Sequence, residues 1–295
     1  KALKWLKLSR SRNNPRRLLD IYSRILTTKQ PNNQTTKARK TMASYNRNGV
    51  ILWEGLSPIN GKKVVCIATG LRNKSANKKT GNTIQTWILL ADVKPTEAAI
   101  NGDDKAICGD CPHRLRMHKE HGKKIRTCYV KTFHAPLSVW KCYKKNRYLT
   151  LDEYTGSTEL IKAKKLRLGS YGDPSIVPYK TWIGLIGKIS PLGYTHLWKE
   201  NLVKVDPRMK DLVMASTDQE SEVQQAEDLG YRVFHVGAKI KGLKHCPSDP
   251  SIEESKQVDC ETCGACDGNF KRPNRSGRYI NPHGAIAAKY LRIAA

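Results

Sequence analysis

Leu166-Arg167-Leu168-Gly169, then Tyr179 to Ile189, then Gly193-Tyr194-Thr195-His196-Leu197-Trp198: these three pieces decide the fold. The first and third are short apolar runs next to glycine, which read as strands. The middle piece places Trp182, Leu185, Ile186 and Ile189 at i, i+3, i+4 and i+7, on one face of a helix. The alternation then continues. Leu212 to Ser216 reads as a strand, and Gln219 to Leu229 as an acidic helix with Val223, Ala226 and Leu229 inward and Gly230 as its stop. Tyr231 to Val236 reads as another strand. Strand, helix, strand at this pace implies βαβ units and a parallel sheet. Right-handed crossovers put the loops that follow the strands on one edge, where α/β proteins bind ligands. The expected fold is α/β, a partial parallel βα barrel or open parallel sheet, with an N-terminal β-hairpin and a loop-rich C-terminal metal-binding tail.

Working toward the N-terminus, Ala135 to Arg147 reads as a helix, with Leu137, Trp140 and Tyr143 or Lys144 on one face. The basic segment Arg114 to Arg126 reads as a short helix ending at Gly122. Val64 to Ala68 and Thr83 to Leu90 read as strands joined by a basic turn from Asn73 to Asn82, together a hairpin. Residues 1–41 hold twelve Lys/Arg against the single Asp20 and read as a basic, flexible leader with a short helix at 16–26. The first methionine is Met42. The expected division is a leader at 1–41, an α/β domain with the first cysteine site at 42–238, and a cysteine-cluster tail at 239–295. A short helix from Ala285 to Ile293 closes it.

The formal net charge of +27 predicts attraction to polyanions, against the plainer reading of a solvated cationic surface. No run of about 18 apolar residues occurs, so no membrane span is expected. The first residues lack a signal peptide's apolar stretch, so the default compartment is the cytoplasm, that of the host if the chain is phage-encoded. Nine cysteines lie at 66, 108, 111, 128, 142, 246, 260, 263 and 266. An odd number in tight groups, without a secretion signal, points to metal rather than disulfides.

Cys246-Pro247 followed by Cys260, Cys263 and Cys266 is the ligand arrangement of a cubane cluster in ferredoxins. A [4Fe-4S] cube presents corners several ångströms apart, so one tight loop can wrap three of them. A single zinc needs every ligand about 2.3 Å away, which two Cys-x-x-Cys steps sharing a cysteine crowd. Gly264 between the steps frees the backbone. Both metals would use the same four ligands. The first group, Cys108, Cys111 and Cys128, has only three local cysteines. With His113, His118, His121 or His134 it closes as structural zinc; without one, a three-cysteine [4Fe-4S] cluster keeps an open iron. Cys66 in a strand and Cys142 in a helix read as buried free thiols.

The order of a three-cysteine loop, a strand ending in Gly169-Ser170-Tyr171-Gly172-Asp173-Pro174, alternating strands and helices, and a four-cysteine C-terminal group resembles radical S-adenosylmethionine enzymes with an auxiliary cluster. In that family a Gly-Gly-Glu-Pro motif meets the methionine amino group. The resemblance implies that Gly172, Asp173 and Pro174 take that part, with Asp for Glu, and that Ser216 and Asp218 sit near the ribose. The family's usual Cys-x3-Cys-x2-Cys loop is here Cys-x2-Cys-x16-Cys. The chain more closely resembles a group of bacteriophage proteins with two cysteine clusters. It shares with them Cys111-Pro112 to Cys128-Tyr129, Leu166 to Pro174, Gly193 to His196, and Cys246 to Cys266 with His283-Gly284. That resemblance implies a phage setting and no reaction.

Two functions follow. In the first, one electron from an electron donor passes through a cluster on Cys108, Cys111 and Cys128 to S-adenosylmethionine, and the radical formed acts on a nucleotide or nucleic acid. Asp173, His196 and Asp218 are the catalytic candidates. In the second, both sites are structural zinc, and the basic surface with Trp53, Trp87, Trp140 and Tyr143 binds nucleic acid. For those aromatics, core packing is the competing reading.

Overall fold

The computed structural model describes residues 45–73, 80–117, 122, 124–154, 165–186, 189–199, 205–270, 275–283 and 287. The leader, the helix at 16–26, the closing helix, His118, His121 and most of the turn from Asn73 lie outside the described residues. By its contacts the chain divides into Lys1–Thr41 and Met42–Ala295.

Three strands open the second unit: β1 (Gly49–Leu56), β2 (Lys63–Thr69) and β3 (Ile84–Leu90). They pair antiparallel as a meander. The expected hairpin is thus β2 and β3. β1 escaped the sequence reading because Gly49, Glu54 and Gly55 interrupt its apolar run and a bulge falls between Ile51 and Trp53. Next come helices α1 (Pro95–Asn101) and α2 (Lys105–Cys108). Arg114 to Arg126 is not a helix. Its described part is a small antiparallel pair, β4 (Arg116–Met117) with β5 (Lys124–Ile125). Arg114 is tied by its guanidinium to Asp104 and to the Gly102 and Gly109 carbonyls, so its side chain anchors the loop before a helix could start. α3 (Ala135–Lys144) follows, then β6 (Leu149–Thr150), which pairs with β1.

The alternating half holds β7 (Lys165–Tyr171), α4 (Tyr179–Ile186), β8 (Ser190–Thr195), β9 (Met214–Thr217), α5 (Ser221–Asp228) and β10 (Val233–Val236). The tail adds β11 (Lys244–His245), α6 (Cys260–Cys263) and β12 (Arg278–Ile280). The ten-stranded sheet runs β11-β12-β10-β9-β8-β7-β3-β2-β1-β6. From β3 through β10 neighbours in space are neighbours in the alternating chain order, and every pair is parallel. The sheet is mostly parallel and does not close into a barrel.

Side-chain alternation sorts the two faces. On β7, Leu166 and Leu168 join the main core with Trp182 of α4, whereas Arg167 and Gly169 face a cavity. On β9, Ala215 packs with Val223 and Ala226 of α5, whereas Met214 packs with Phe234, Cys246 and Cys266. Val233 and Tyr279 join the α5 side, and Phe234 and Ile280 the cysteine side. The tail therefore lies over the cavity face of the sheet. Trp87 and Trp140 pack against the core, with indole N–H groups bonded to Thr69 Oγ1 and the Leu90 carbonyl.

The strand expected at Gly193–Trp198 sits three residues earlier. Asp173 accepts from the His196 amide, and Thr195 Oγ1 accepts from the Leu197 amide. These bonds bend the chain into a 3-10 turn at Leu197–Lys199. His196 thereby stands just past the end of β8.

Candidate metal centres on one cavity

Cys108 ends α2, and Gly109 follows with a positive φ (60°); a Cβ there would meet Leu197 Cδ2 at 2.4 Å. Cys128 is carried back to this turn because the amides of Thr127 and Cys128 both donate to the His113 carbonyl, at 3.2 and 3.0 Å. Burial pushes the Cys108 thiol well up, with Cys111, Asp104 and Cys128 adding to it and Arg114 opposing. Burial likewise pushes up Cys128, opposed by Arg126 and reinforced by Cys111. Cys108 therefore feels both other thiols, and Cys128 feels Cys111.

In the second group Asp259 caps α6 by accepting from the Thr262 amide at 2.6 Å. Gly264 ends it in the left-handed region (φ 57°). The Gly193 amide of β8 donates to the Cys266 carbonyl, the Cys246 amide donates to the Tyr279 carbonyl, and the Tyr194 hydroxyl lies 3.3 Å from Cys266 Sγ as donor. Burial pushes Cys246 up to about 11, and Cys260, Cys263 and Asp249 add to this. Burial pushes Cys266 up to about 12; the Tyr194 hydroxyl opposes, and Cys246, Cys260 and Cys263 add.

Both groups open on one cavity of about 510 Å³, in the size range of small-molecule sites. All seven of these cysteines line it. Cys66 is a buried core residue and Cys142 packs against the core; neither lines the cavity. A larger hollow of about 840 Å³ beside α5 contains no cysteine or histidine in its lining.

The expected site residues distribute as follows. Gly172, Asp173, Ser216, His113 and His196 line the cavity. Pro174 is buried and opens a 3-10 turn. The Asp173 carboxylate accepts from the Ser175 amide (2.9 Å), Thr195 Oγ1 (2.8 Å) and the His196 amide (2.8 Å). Three donors on one buried carboxylate make Asp173 a clasp between β7 and β8, while burial still pushes its pKa upward. His134 stacks on Phe133 and does not line the cavity.

Asp218 reaches the cavity through two histidines. Its Oδ1 lies 2.9 Å from His113 Nε2, and its Oδ2 lies 3.3 Å from His196 Nε2. His113 Nδ1 is held by Thr127 Oγ1 at 2.9 Å, and the two imidazoles meet edge to face. Burial alone would raise the Asp218 carboxyl, but bonds from both histidines hold it far below the carboxylate range. Burial would lower His196, but the charge of Cys111 and hydrogen bonds to Asp218 and Cys111 raise it. Among the described residues, the donors of His113, His196 and Asp218 all lie within 4.8 Å of one another, and no set of three cysteine sulfurs is so close.

Sequence reasoning missed the contact of His113 with Asp218, 105 positions apart, and the cavity arginines Arg167 and Arg278. The arginines carried a signal: Arg167 alternates with the buried Leu166 and Leu168. Comparison with family models, curated proteins and solved structures finds no match.

Proposed function

We propose that this chain is an iron–sulfur enzyme of the radical S-adenosylmethionine type. One cluster sits on Cys108, Cys111 and Cys128 and a second on Cys246, Cys260, Cys263 and Cys266. The observation that carries the reading is that both cysteine groups, far apart in sequence, face one cavity. Buried thiols that feel one another's charge are poor anions alone and become good ligands beside multivalent iron. Sulfurs on a single zinc stand about 3.8 Å apart, given bonds of about 2.3 Å. Among the described residues no three of these sulfurs share so compact a set, so the cluster reading rests on their chain spacing and their common cavity.

Held by Cys108, Cys111 and Cys128, a cluster with an open iron would supply one-electron chemistry toward S-adenosylmethionine, the electron coming from an external donor. The chain's own residues bind and orient. Asp173 holds the ends of β7 and β8 in place, and with them Gly172 and His196. Ser216, at the end of β9, faces the cavity where a ribose would be met. His196 Nε2 stands 3.3 Å from Asp218 Oδ2 beside Cys111, so the end of β8 meets the cysteine loop and the end of β9 there.

The test is anaerobic reconstitution with iron and sulfide. The expected protein is brown, holds about eight irons for two cubanes, and cleaves S-adenosylmethionine to methionine and 5′-deoxyadenosine on reduction. Cys263→Ala is expected to remove about half the iron, and Cys111→Ala to remove the cleavage. Colourless protein with stoichiometric zinc would overturn the reading. One observation favours that second reading, a zinc-stabilised nucleic-acid-binding protein: the compact donor set of His113, His196 and Asp218 has the spacing a single divalent ion needs.

A further inference from the structure

Buried arginines in this chain are pinned. Arg114 is held by Asp104 and two carbonyls, and Arg232 by Asp267 and the carbonyls of Ala265, Gly268 and Arg275. Two others differ. Arg167 on β7 and Arg278 on β12 both line the cavity, and among the described residues neither guanidinium has a hydrogen-bond or ion-pair partner. Nε of Arg278 is a buried donor without a partner. Among the described residues, the cavity's one acidic lining residue is Asp173, whose carboxylate is already occupied by three donors. Both arginines are half-buried, and the one buried donor left unpaired, Nε of Arg278, is costly in a cavity without a partner, so the pair points to an anionic ligand.

A second feature names the rest of the ligand. Tyr129 and His283 also line the cavity, with ring centroids 5.2 Å apart and the His283 amide donating to the Tyr129 hydroxyl. Tyr129 is 45% exposed, so this aromatic pair is available at the surface. An aromatic face beside free guanidiniums suits a base joined to a phosphate, since every base has a face to stack and guanidinium matches phosphate bidentately.

We propose that the cavity's substrate is a nucleoside phosphate ester, free or within a single strand, with its phosphate on Arg167 and Arg278 and its base against Tyr129 and His283. This rests on the cavity being the reaction site and supplies the substrate class of the function above. The overall excess of positive charge draws such polyanions inward.

The rival role for the two arginines is to offset thiolate charge around the second cysteine group, and the test separates the two. Iron-reconstituted full chain is titrated, without S-adenosylmethionine, with uridine monophosphate, uridine and a short oligo-dT, reading tryptophan fluorescence or heat. The monophosphate or the oligonucleotide is expected to bind at least tenfold more tightly than uridine, and which of them does so identifies free or strand-borne ester. Arg278→Gln and Arg167→Gln are expected each to lose most of that preference at unchanged iron content and visible spectrum. Tyr129→Ala is expected to weaken nucleotide and nucleoside alike. Nucleotide binding no tighter than nucleoside binding, or arginine variants that lose iron while keeping nucleotide affinity, would overturn the proposal. Because no S-adenosylmethionine is present, failure of its cleavage strikes the reaction type alone, and failure of nucleotide binding strikes only the substrate.

Discussion

Arg232 joins the tail to the sheet. It sits just before β10, 5% exposed, with Asp267 at 2.8 Å, the Ala265 carbonyl of the four-cysteine segment and the Gly268 and Arg275 carbonyls beyond it around its fork. Two buried charges that satisfy each other add little net stability, but removing one strands the other, at about 3–5 kcal/mol. Arg232→Met is therefore expected to lower unfolding stability by about that amount and to lower iron retention at Cys246, Cys260, Cys263 and Cys266. Arg232→Lys should not rescue it, because a point charge cannot span the same carbonyls. Denaturant unfolding beside iron analysis checks this; full stability in the Met variant would show that the clasp is dispensable. At this scale the sequence was legible where chemistry is local. The seven clustered cysteines announce themselves by spacing, whereas Arg232 with Asp267 and His113 with Asp218 are joined only by the fold.

Elements were legible by period, and their ends less so. The helix read to Ile189 is described to Ile186, and the strand read from Leu212 starts at Met214 because Leu212 and Val213 close the preceding turn on the Met209 carbonyl. The end of β7 carries the strongest local constraint. Gly172 has φ 81°, and a Cβ there would stand 2.8 Å from the Ile88 carbonyl oxygen of β3. Only glycine combines that dihedral with such close backbone. Gly172→Ala is expected to cost well over ~1 kcal/mol, since the strain of the left-handed alanine adds to the clash. It should also move Asp173 away from Thr195 and the His196 amide. Thermal unfolding checks the first effect, and the NMR shift of the His196 imidazole the second. A variant with wild-type stability would mean that β3 and β7 can separate without penalty.

For the whole molecule, strand order matters most. Because β3, β7, β8, β9 and β10 follow one another across the sheet, their carboxyl ends form one continuous rim. That rim carries Gly172, His196, Asp218 and Val236, and the tail returns as β12 beside β10 to bring the last four cysteines over it. No helix among the described residues is long and apolar enough to cross a membrane. Around its cysteines the tail has a small apolar cluster, Cys246 and Cys266 with Met214, Phe234, Tyr194, Val236 and Ile280, while Leu243 and Tyr279 join the α5 side. Bound metal would then supply a large share of what holds the tail in place, because ligands from separate segments share one centre. The meander β1–β3 owes its order to the main core instead. Removing iron with a chelator is therefore expected to speed amide hydrogen exchange at Lys244–His245, residues 258–266 and Arg278–Ile280 by at least tenfold, while β2 and β3 keep their protection. Equal loss of protection in the meander would mean that metal stabilises the entire fold, and no change in the tail would mean that the sulfurs there bind nothing of structural weight.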